Sequence, residues 1–265
     1  MDILKLQLVE KYKSFIDSNQ DFKVVYGDNL LDSQNDVILV LDSSFNPPHM
    51  GHYSLAKRSI EYFKEHHKNS KVSLLLLLSV KNADKVPTPA SFEERLYMMC
   101  LLNDFIKKDG IKVSVGLTTH AKFVDKSDAI RRACSFENQI AYLVGFDTIT
   151  RIFDPRYYKP DAPADALQEF MKTTQFCCLT RDNGSIPSEE QLNYASDISS
   201  GKFEPLIPSH WGSKIHILDN DSKYTKISSS DIRNKLHNIS RVKELNDELP
   251  LTIMEYLEVF GKSIY

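Results

Sequence analysis

The stretch that decides the fold runs from Val37 to Ile60 and reads VILVLDSSFNPPHMGHYSLAKRSI. Its apolar start is typical of a buried strand. Small residues and a proline pair then interrupt the strand. Beyond His52 the apolar residues recur at helical spacing. The stretch therefore predicts a strand, a short loop and a helix, with His49 and His52 where the loop meets the helix.

The same alternation continues along the chain and predicts the fold class. Short apolar runs with strand character are separated by segments of helical periodicity. Strands and helices that alternate in this way form right-handed crossovers and a parallel sheet, so we expect a doubly wound, Rossmann-like α/β domain. Sheets of this kind bind ligands beyond the carboxyl ends of their strands. The apolar runs are Val37–Leu41, Val72–Ser79, Ile111–Gly116, Ile140–Val144, Phe176–Thr180 and Lys214–Leu218.

The domain organisation follows from length and composition. A chain of 265 residues with 42% hydrophobic residues can bury the core of one large or two small domains. We find no internal repeat and no linker of biased composition. The sequence therefore predicts a helical extension over residues 1–35 and one domain over residues 36–265, with a helical carboxyl-terminal part from Ile227.

Charge and hydropathy limit the classes of partner and the location of the protein. A formal net charge of −3 argues against a general attraction to nucleic acid or to an anionic membrane surface. The run Val72–Val80 is far shorter than the roughly 20 residues of a membrane span. The amino terminus lacks the pattern of a signal peptide. We therefore expect a location in the cytosol or the nucleus. Homo-oligomerisation and protein partners stay open.

The four cysteines form no CxxC pair, and two of them, Cys177 and Cys178, are adjacent in an apolar run. This spacing disfavours both a zinc site and disulfides. We expect reduced thiols that are mostly buried.

His49 and His52 lie where this topology places its ligand. The amino terminus of a helix attracts anions, so the predicted target of both imidazoles is a phosphate. The small side chains of Ser43 and Ser44 let backbone amides approach that phosphate. The alternative is that His52 is a core histidine and His49 a solvated loop residue. Residue types alone leave these two interpretations equal.

The decapeptide SSFNPPHMGH, from Ser43 to His52, resembles the GxFxPxHxGH signature of the nucleotidyltransferase superfamily. It is most similar to the GSFNP form of the nicotinamide mononucleotide adenylyltransferases. Ser43 stands where that form has its first glycine. The resemblance implies an enzyme that transfers the adenylyl group of ATP to nicotinamide mononucleotide, giving NAD and pyrophosphate.

A second motif, KISSSDIRNKL from Lys226 to Leu236, is similar to the ISSTxxR motif of the same family. A helix start explains the serines and Asp231. It does not explain Arg233, because a cation in the first turn opposes the helix dipole unless an anion is bound there. The resemblance assigns this segment to the phosphates of ATP.

Three segments between the two motifs agree with the resemblance, although each has an ordinary alternative. Lys85 matches the family lysine that holds a substrate phosphate, but it also fits a solvated loop lysine. Gly145 and Asp147 match the GxD segment, in which the aspartate could equally be an N-cap. Arg181 matches the family's TRxG segment and also fits a surface arginine. Tyr157 and Tyr158 lie where many members place a tryptophan against the nicotinamide ring.

The resemblance covers the chain from Val37 to Leu236 and implies three groups of site residues. The implied catalytic residues are His49, His52 and Arg233. The implied ATP and phosphate contacts are Ser43, Ser44, Phe45, Ser229, Ser230 and Lys85. The implied substrate contacts are Asn46, Gly145, Asp147, Tyr157, Tyr158 and Arg181.

The resemblance also implies a Mg²⁺ ion bound through ATP, since the sequence shows no dedicated carboxylate cage. Two alternatives remain open. One is another nucleotidyltransferase of this fold, with a phosphopantetheine or cytidylyl acceptor. The other is an ATP-binding or ATP-hydrolysing quality-control or interaction protein with weak transfer activity.

Overall fold

A computed structural model describes residues 3–30, 36–67, 70–80, 89–134, 139–182, 186–238 and 242–265. Within these ranges seven strands form one sheet: β1 (Phe22–Gly27), β2 (Val37–Asp42), β3 (Val72–Ser79), β4 (Val113–Thr118), β5 (Gln139–Gly145), β6 (Thr174–Leu179) and β7 (Ile215–Leu218). Their order in the sheet is β1-β4-β3-β2-β5-β6-β7. β1 is antiparallel to β4, and the other neighbouring pairs are parallel.

Helices connect the strands and cover both faces of the sheet. In the described ranges they are α1 (Ile3–Ile16), α2 (Met50–His66), α3 (Phe92–Lys107), α4 (Phe123–Cys134), α5 (Phe146–Ile152), α6 (Pro163–Ala166), α7 (Gln168–Thr173), α8 (Ser188–Ser199), α9 (Ser229–Asn238) and α10 (Leu251–Ile264). Short 3₁₀ turns occupy Pro155–Tyr157, Ser209–Lys214 and Val242–Leu245.

Strand β2 lies at the centre of the sheet and is buried on both faces. In register, Val37 is opposite Val72 of β3 and Gln139 of β5. Leu39 and Leu41 belong to the core under α2, α3 and α10, while the alternate residues of β2 belong to the core under α4, α5 and α7. A strand buried on both faces needs apolar residues at every position, which explains the continuous apolar run.

The chain leaves β2 and enters β5 on opposite faces of the sheet. Helix α2 connects β2 to β3 on one face, whereas α4 connects β4 to β5 on the other. β2 and β5 are neighbours, so their carboxyl ends border a topological switch point, where sheets of this type form a crevice. The loop over residues 43–49 begins at this crevice.

The structure confirms the predicted α/β class and the helical carboxyl-terminal part. All six predicted strands are present, with ends shifted by at most two residues. The pattern missed β1, whose short FKVVYG sequence lies at an edge of the sheet. The segment before β2 therefore contributes an edge strand and α1, which packs on α3. Helix α10 packs on α3 and on the turn at Val242–Leu245.

In the described part of the chain, no helix combines the length and apolar character that crossing a membrane requires. The four cysteines are buried, as expected, and Cys177 and Cys178 lie within β6.

Candidate active site

The two signature histidines hold the start of α2 through a reciprocal pair of hydrogen bonds. His49 is the N-cap, and its Nδ1 accepts from the backbone N–H of Gly51 at 3.1 Å. The Nδ1 of His52 accepts from the backbone N–H of His49, also at 3.1 Å. The centroids of the two rings are 3.8 Å apart. An Nδ1 that accepts carries no proton, so each neutral ring carries its proton on Nε2.

Burial keeps both imidazoles neutral. The two side chains are 8% exposed. Desolvation, then the neighbouring His52 and Arg181, lowers the pKa of His49 well below its ordinary value. Desolvation and then the charge of Arg181 lower the pKa of His52 to about 3. Near neutral pH each ring is therefore an uncharged N–H donor. His52 Nε2 lies 3.0 Å from Ser43 Oγ, which accepts its hydrogen bond.

These donors line a cleft of about 230 Å³ at the switch point. The carboxyl ends of β2, β5 and β6 form its floor, and the first turns of α2 and α9 form its sides. Two helix amino termini that converge on one cleft favour an anion between them. Its polar and small lining residues include Asp42, Ser43, His49, His52, Gly145, Thr148, Arg181, Asn220, Tyr224, Ser228 and Ser229.

Arg181 contributes a guanidinium group to the lining of the cleft. The side chain of Gln191, which is buried, fixes its main chain by accepting from Arg181 N at 2.9 Å and donating to Arg181 O at 2.7 Å. The guanidinium is 3.7 Å from Asp147 and donates to Ile227 O. A Cβ on Gly145 would lie 3.5 Å from the Arg181 side chain, so this glycine leaves room beside the arginine. Arg181 thus directs a positive charge toward the cleft.

The first turn of α9 is hydrogen-bonded to the loop over residues 43–49, which we call the signature loop. Ser229 Oγ donates to Pro47 O at 2.8 Å. Arg233 Nη1 donates to Asn46 O at 2.6 Å, and its Nη2 donates to Ser230 Oγ at 3.0 Å. In this structure the guanidinium of Arg233 therefore lies against the loop, outside the lining of the cleft.

The loop itself is strained and tightly held. Phe45 has a φ of +48°, a conformation that is uncommon for an aromatic residue, and its side chain is buried. Its ring lies 5.0 Å from that of His52. The buried Arg95 of α3 donates from Nη1 to Ser44 O at 3.2 Å. Strained backbone of this kind persists only where surrounding contacts over-determine it, as at binding sites.

The structure separates the predicted site residues into two groups. The cleft brings together Ser43, His49, His52, Gly145, Arg181 and Ser229. The residues that lie outside its lining are Ser44, Phe45, Asn46, Asp147, Tyr157, Tyr158, Ser230 and Arg233. Lys85 lies outside the described residues. For every residue in both groups, contact with a nucleotide stays a prediction.

The two tyrosines differ in exposure. Tyr157, in the 3₁₀ turn, is 49% exposed. Tyr158 donates from its hydroxyl to Ile152 O at 2.6 Å and is half-buried. Only the ring of Tyr157 is open to a ligand from solvent without rearrangement of the turn.

Sequence reasoning missed several cleft residues. Ser228 caps α9, because its Oγ accepts from the Asp231 N–H at 3.1 Å; the ISSS repeat could have indicated it. Asp42, the last residue of β2, could have been found from its position at a strand end. Thr148, Asn220 and Tyr224 carry no signal in the sequence that separates them from ordinary surface residues.

The Mg²⁺ ion that the sequence analysis expects, bound through ATP, stays a prediction. No three His, Cys, Asp or Glu side chains among the described residues could together hold a metal. Asp42 contributes the carboxylate of the lining. A magnesium ion here would take its ligands mainly from phosphates and water.

Comparisons with known proteins show the family of the chain. Residues 40–235 match the family model described as cytidylyltransferase-like. A Schizosaccharomyces pombe protein provisionally named a nicotinamide mononucleotide adenylyltransferase is 40% identical over 212 residues, which cover 78% of this chain and 79% of the relative. The resemblance drawn from the two motifs is confirmed.

Solved structures share the fold. The nicotinic acid mononucleotide adenylyltransferase of Plasmodium falciparum, complexed with NaAD, aligns with a TM-score of 0.55 at 17% identity, covering 87% of this chain and 99% of that one. Its complex with APC aligns with a TM-score of 0.54 at 16% identity, covering 86% and 96%. Together, the family model, the fungal relative and the cleft show that the chain belongs to the cytidylyltransferase-like family and is a nucleotidyltransferase.

Proposed function

We propose that this nucleotidyltransferase transfers the adenylyl group of ATP to nicotinamide mononucleotide, forming NAD and pyrophosphate. The observation that carries the proposal is the pair of neutral imidazoles at the start of α2. Their Nδ1 atoms are occupied by backbone N–H groups, so Nε2–H is the donor of each ring. A ligand takes the bond of His52 Nε2–H in place of Ser43 Oγ, which accepts it in this structure. The name of the S. pombe relative, at 40% identity, supports this acceptor.

The proposed reaction needs no protein nucleophile. An oxygen of the mononucleotide 5′-phosphate attacks the α-phosphorus of ATP and forms the new P–O bond. The bond from the α-phosphorus to the oxygen that bridges to the β-phosphorus breaks, and pyrophosphate leaves with that electron pair. Catalysis then consists of positioning the two phosphates and stabilising the charge on the phosphoryl oxygens.

The cleft residues supply that stabilisation in the proposal. His49 and His52 donate from Nε2 to oxygens of the α- and β-phosphates. These bonds strengthen as negative charge builds in the transition state, and the rigid rings need no reorganisation. Arg181 supplies a full positive charge. Ser228, Ser229 and the amino terminus of α9 bind the remaining phosphate oxygens.

Proposed roles follow for the other predicted residues. Arg233 and Ser230 act on the β- and γ-phosphates only if the guanidinium turns from Asn46 O toward the cleft. Lys85 holds the phosphate of the mononucleotide or the ATP, and Tyr157 stacks on the nicotinamide ring. A magnesium ion bound through ATP would supply positive charge to the phosphates. A location in the cytosol or the nucleus, without nucleic-acid partners, remains part of the proposal.

One experiment tests the reaction and its substrates. Purified protein is incubated with ATP, magnesium and nicotinamide mononucleotide, and NAD and pyrophosphate are quantified. Parallel reactions replace the acceptor with nicotinate mononucleotide or the donor with CTP, and a His52→Ala variant is the control. Equal amounts of NAD and pyrophosphate, reduced at least about a hundredfold in the variant, support the proposal.

The other outcomes are equally clear. A dinucleotide formed only with the nicotinate acceptor would replace the proposed acceptor. A product formed only with CTP would replace the donor. ATP binding without any dinucleotide product would contradict adenylyl transfer and favour the ATP-binding interaction protein.

A further inference from the structure

A carboxylate lies at the floor of a cleft whose other features favour anions. Asp42 is the last residue of β2 and lines the cleft beside Ser43. Its side chain is 11% exposed. Neutral imidazoles, Arg181 and two helix amino termini face the same space. An isolated carboxylate in this position would repel a polyphosphate, and its burial would strengthen the repulsion.

A buried lysine from the opposite face of the sheet pairs with this carboxylate. Lys126 of α4 forms an ion pair from Nζ to Asp42 Oδ2. Its side chain is only 5% exposed, and Nζ lies 5.2 Å from the centroid of the Phe123 ring. Most lysines keep their ammonium in water. Lys126 instead buries it under the floor of the cleft.

Folding stability does not account for this pair. Removing two charges from water costs as much as their attraction returns, so a buried ion pair is often replaceable by apolar residues without loss of stability. What the pair does change is the charge at the cleft floor. With Lys126 in place the floor is neutral, and without it the floor carries one negative charge.

We propose that Lys126 is a positioning residue of the nucleotide site, whose buried ammonium neutralises Asp42 so that the polyphosphate of the donor nucleotide can bind. Lys126 acts through Asp42 and does not touch the nucleotide. The inference rests on the proposed function only in that the ligand of the cleft is a nucleoside triphosphate.

The test measures ATP binding directly, without an acceptor, by isothermal titration calorimetry at low and high salt. The variants are Lys126→Met, Asp42→Asn and the double variant with both changes. A matched control is Lys107→Met, which breaks the ion pair of Lys107 with Asp28. Asp28 accepts from the backbone N–H of Val113, which lies at the amino end of β4. This ion pair is therefore at the end of the strands opposite to the cleft.

The expected pattern follows from the charge at the floor. Lys126→Met weakens ATP binding at least about tenfold at low salt, and the defect shrinks as salt screens the repulsion. Asp42→Asn binds ATP as tightly as the native protein or more tightly. The double variant, with a neutral floor, returns to within about threefold of the native affinity. Lys107→Met leaves the affinity unchanged.

Three outcomes would overturn the inference. Unchanged ATP affinity in Lys126→Met would show that the charge of Asp42 does not reach the ligand. A double variant as weak as Lys126→Met would show that the ammonium contacts the nucleotide itself. Weaker binding in Asp42→Asn with a raised magnesium requirement would make Asp42 a metal ligand.

If Lys126→Met does not fold, the double variant and Asp42→Asn still decide the question. Asp42→Asn leaves the ammonium of Lys126 unpaired, so its cleft floor is positive, whereas the floor of the double variant is neutral. Asp42→Asn should therefore bind ATP more tightly than the double variant at low salt, and equal affinities would show that charge at the floor does not affect the ligand. Absence of NAD formation in every protein would contradict the proposed function alone, since the pattern of ATP affinities is measured independently of transfer.

Discussion

The hydroxyl of Tyr265 donates a hydrogen bond of 3.1 Å to Oδ1 of Asn46, 219 residues away in the sequence. Desolvation raises the pKa of Tyr265, so the phenol keeps its proton and remains a donor. Asn46 is buried, and its main-chain oxygen accepts from Arg233. The residue that follows α10 therefore helps to fix the loop that leads into His49.

Removing this hydroxyl should slow the reaction without unfolding the protein. We expect Tyr265→Phe to lower kcat about three- to tenfold with little change in KM, since one hydrogen bond is worth about 1 kcal/mol. Steady-state kinetics measure both constants. Tyr53→Phe is the matched control, because its hydroxyl binds Asp109 on the surface at 2.7 Å. An equal loss in both variants would refute a specific role for Tyr265.

Two substitutions of His52 separate its capping role from its donor role. Asparagine offers an acceptor near the position of Nδ1 but nothing at Nε2, whereas glutamine reaches Nε2 but lacks that acceptor. We expect His52→Asn to keep its melting temperature and lose activity about 10²- to 10³-fold. His52→Gln should melt at a lower temperature. Full activity in His52→Asn would exclude Nε2–H from catalysis.

Ser43 competes with the ligand for His52. Its Oγ accepts the hydrogen bond from Nε2, at 3.0 Å, that the proposed mechanism gives to a phosphate oxygen. We therefore expect Ser43→Gly to raise kcat/KM for ATP by about two- to fivefold, because breaking one competing hydrogen bond returns about 1 kcal/mol or less. Ser43→Ala is the control for backbone freedom. A lower kcat/KM in both variants would mean that the hydroxyl itself binds phosphate.

The buried histidines should make stability fall in mildly acidic solution. Burial lowers the pKa of His52 to about 3 and that of His216 to about 4, and it lowers the pKa of His49 as well. Below about pH 6.5 the unfolded chain binds protons at these residues that the folded chain does not. The free energy of unfolding is therefore highest above pH 6.5 and falls as pH decreases through the window between 6.5 and 4.

Each such histidine contributes up to about 1.4 kcal/mol per pH unit in this window. Urea unfolding at intervals between pH 7.5 and pH 5 measures the slope. The lowered pKa values of Asp21 and Asp28 affect a different window, below the ordinary value of 3.8. His52→Asn should show a shallower slope than the native protein. Equal slopes would contradict a neutral, desolvated His52.

Sequence patterns sufficed for the central strands of the sheet because these strands are buried on both faces. Continuous apolar runs such as Val72–Ser79 leave little choice of structure. β1 escaped prediction because it lies at an edge, where Lys23 and Tyr26 interrupt the apolar pattern and pairing with β4 supplies the missing stability. Pairing between distant segments has no signature within either segment.

The candidate site was predictable only in part, for a similar reason. The motifs placed His49, His52 and Ser229 at the cleft, since a strand end and two helix starts converge there. Sequence spacing could not show that Arg233 reaches back to Asn46 O. Nor could it show that Lys126 of α4 forms an ion pair with Asp42 at the carboxyl end of β2. Side-chain direction depends on packing between elements that are far apart in the chain.

The fastening of the signature loop has a consequence for the order of events during synthesis. The loop leaves the ribosome early, but the groups that hold its carbonyl and amide oxygens belong to α3, α9 and the residue after α10. All seven strands of the described sheet precede α9 and the residue after α10, since β7 ends at Leu218 and α9 begins at Ser229. A nascent chain that ends before α9 could thus possess most of its sheet and still lack a formed nucleotide pocket.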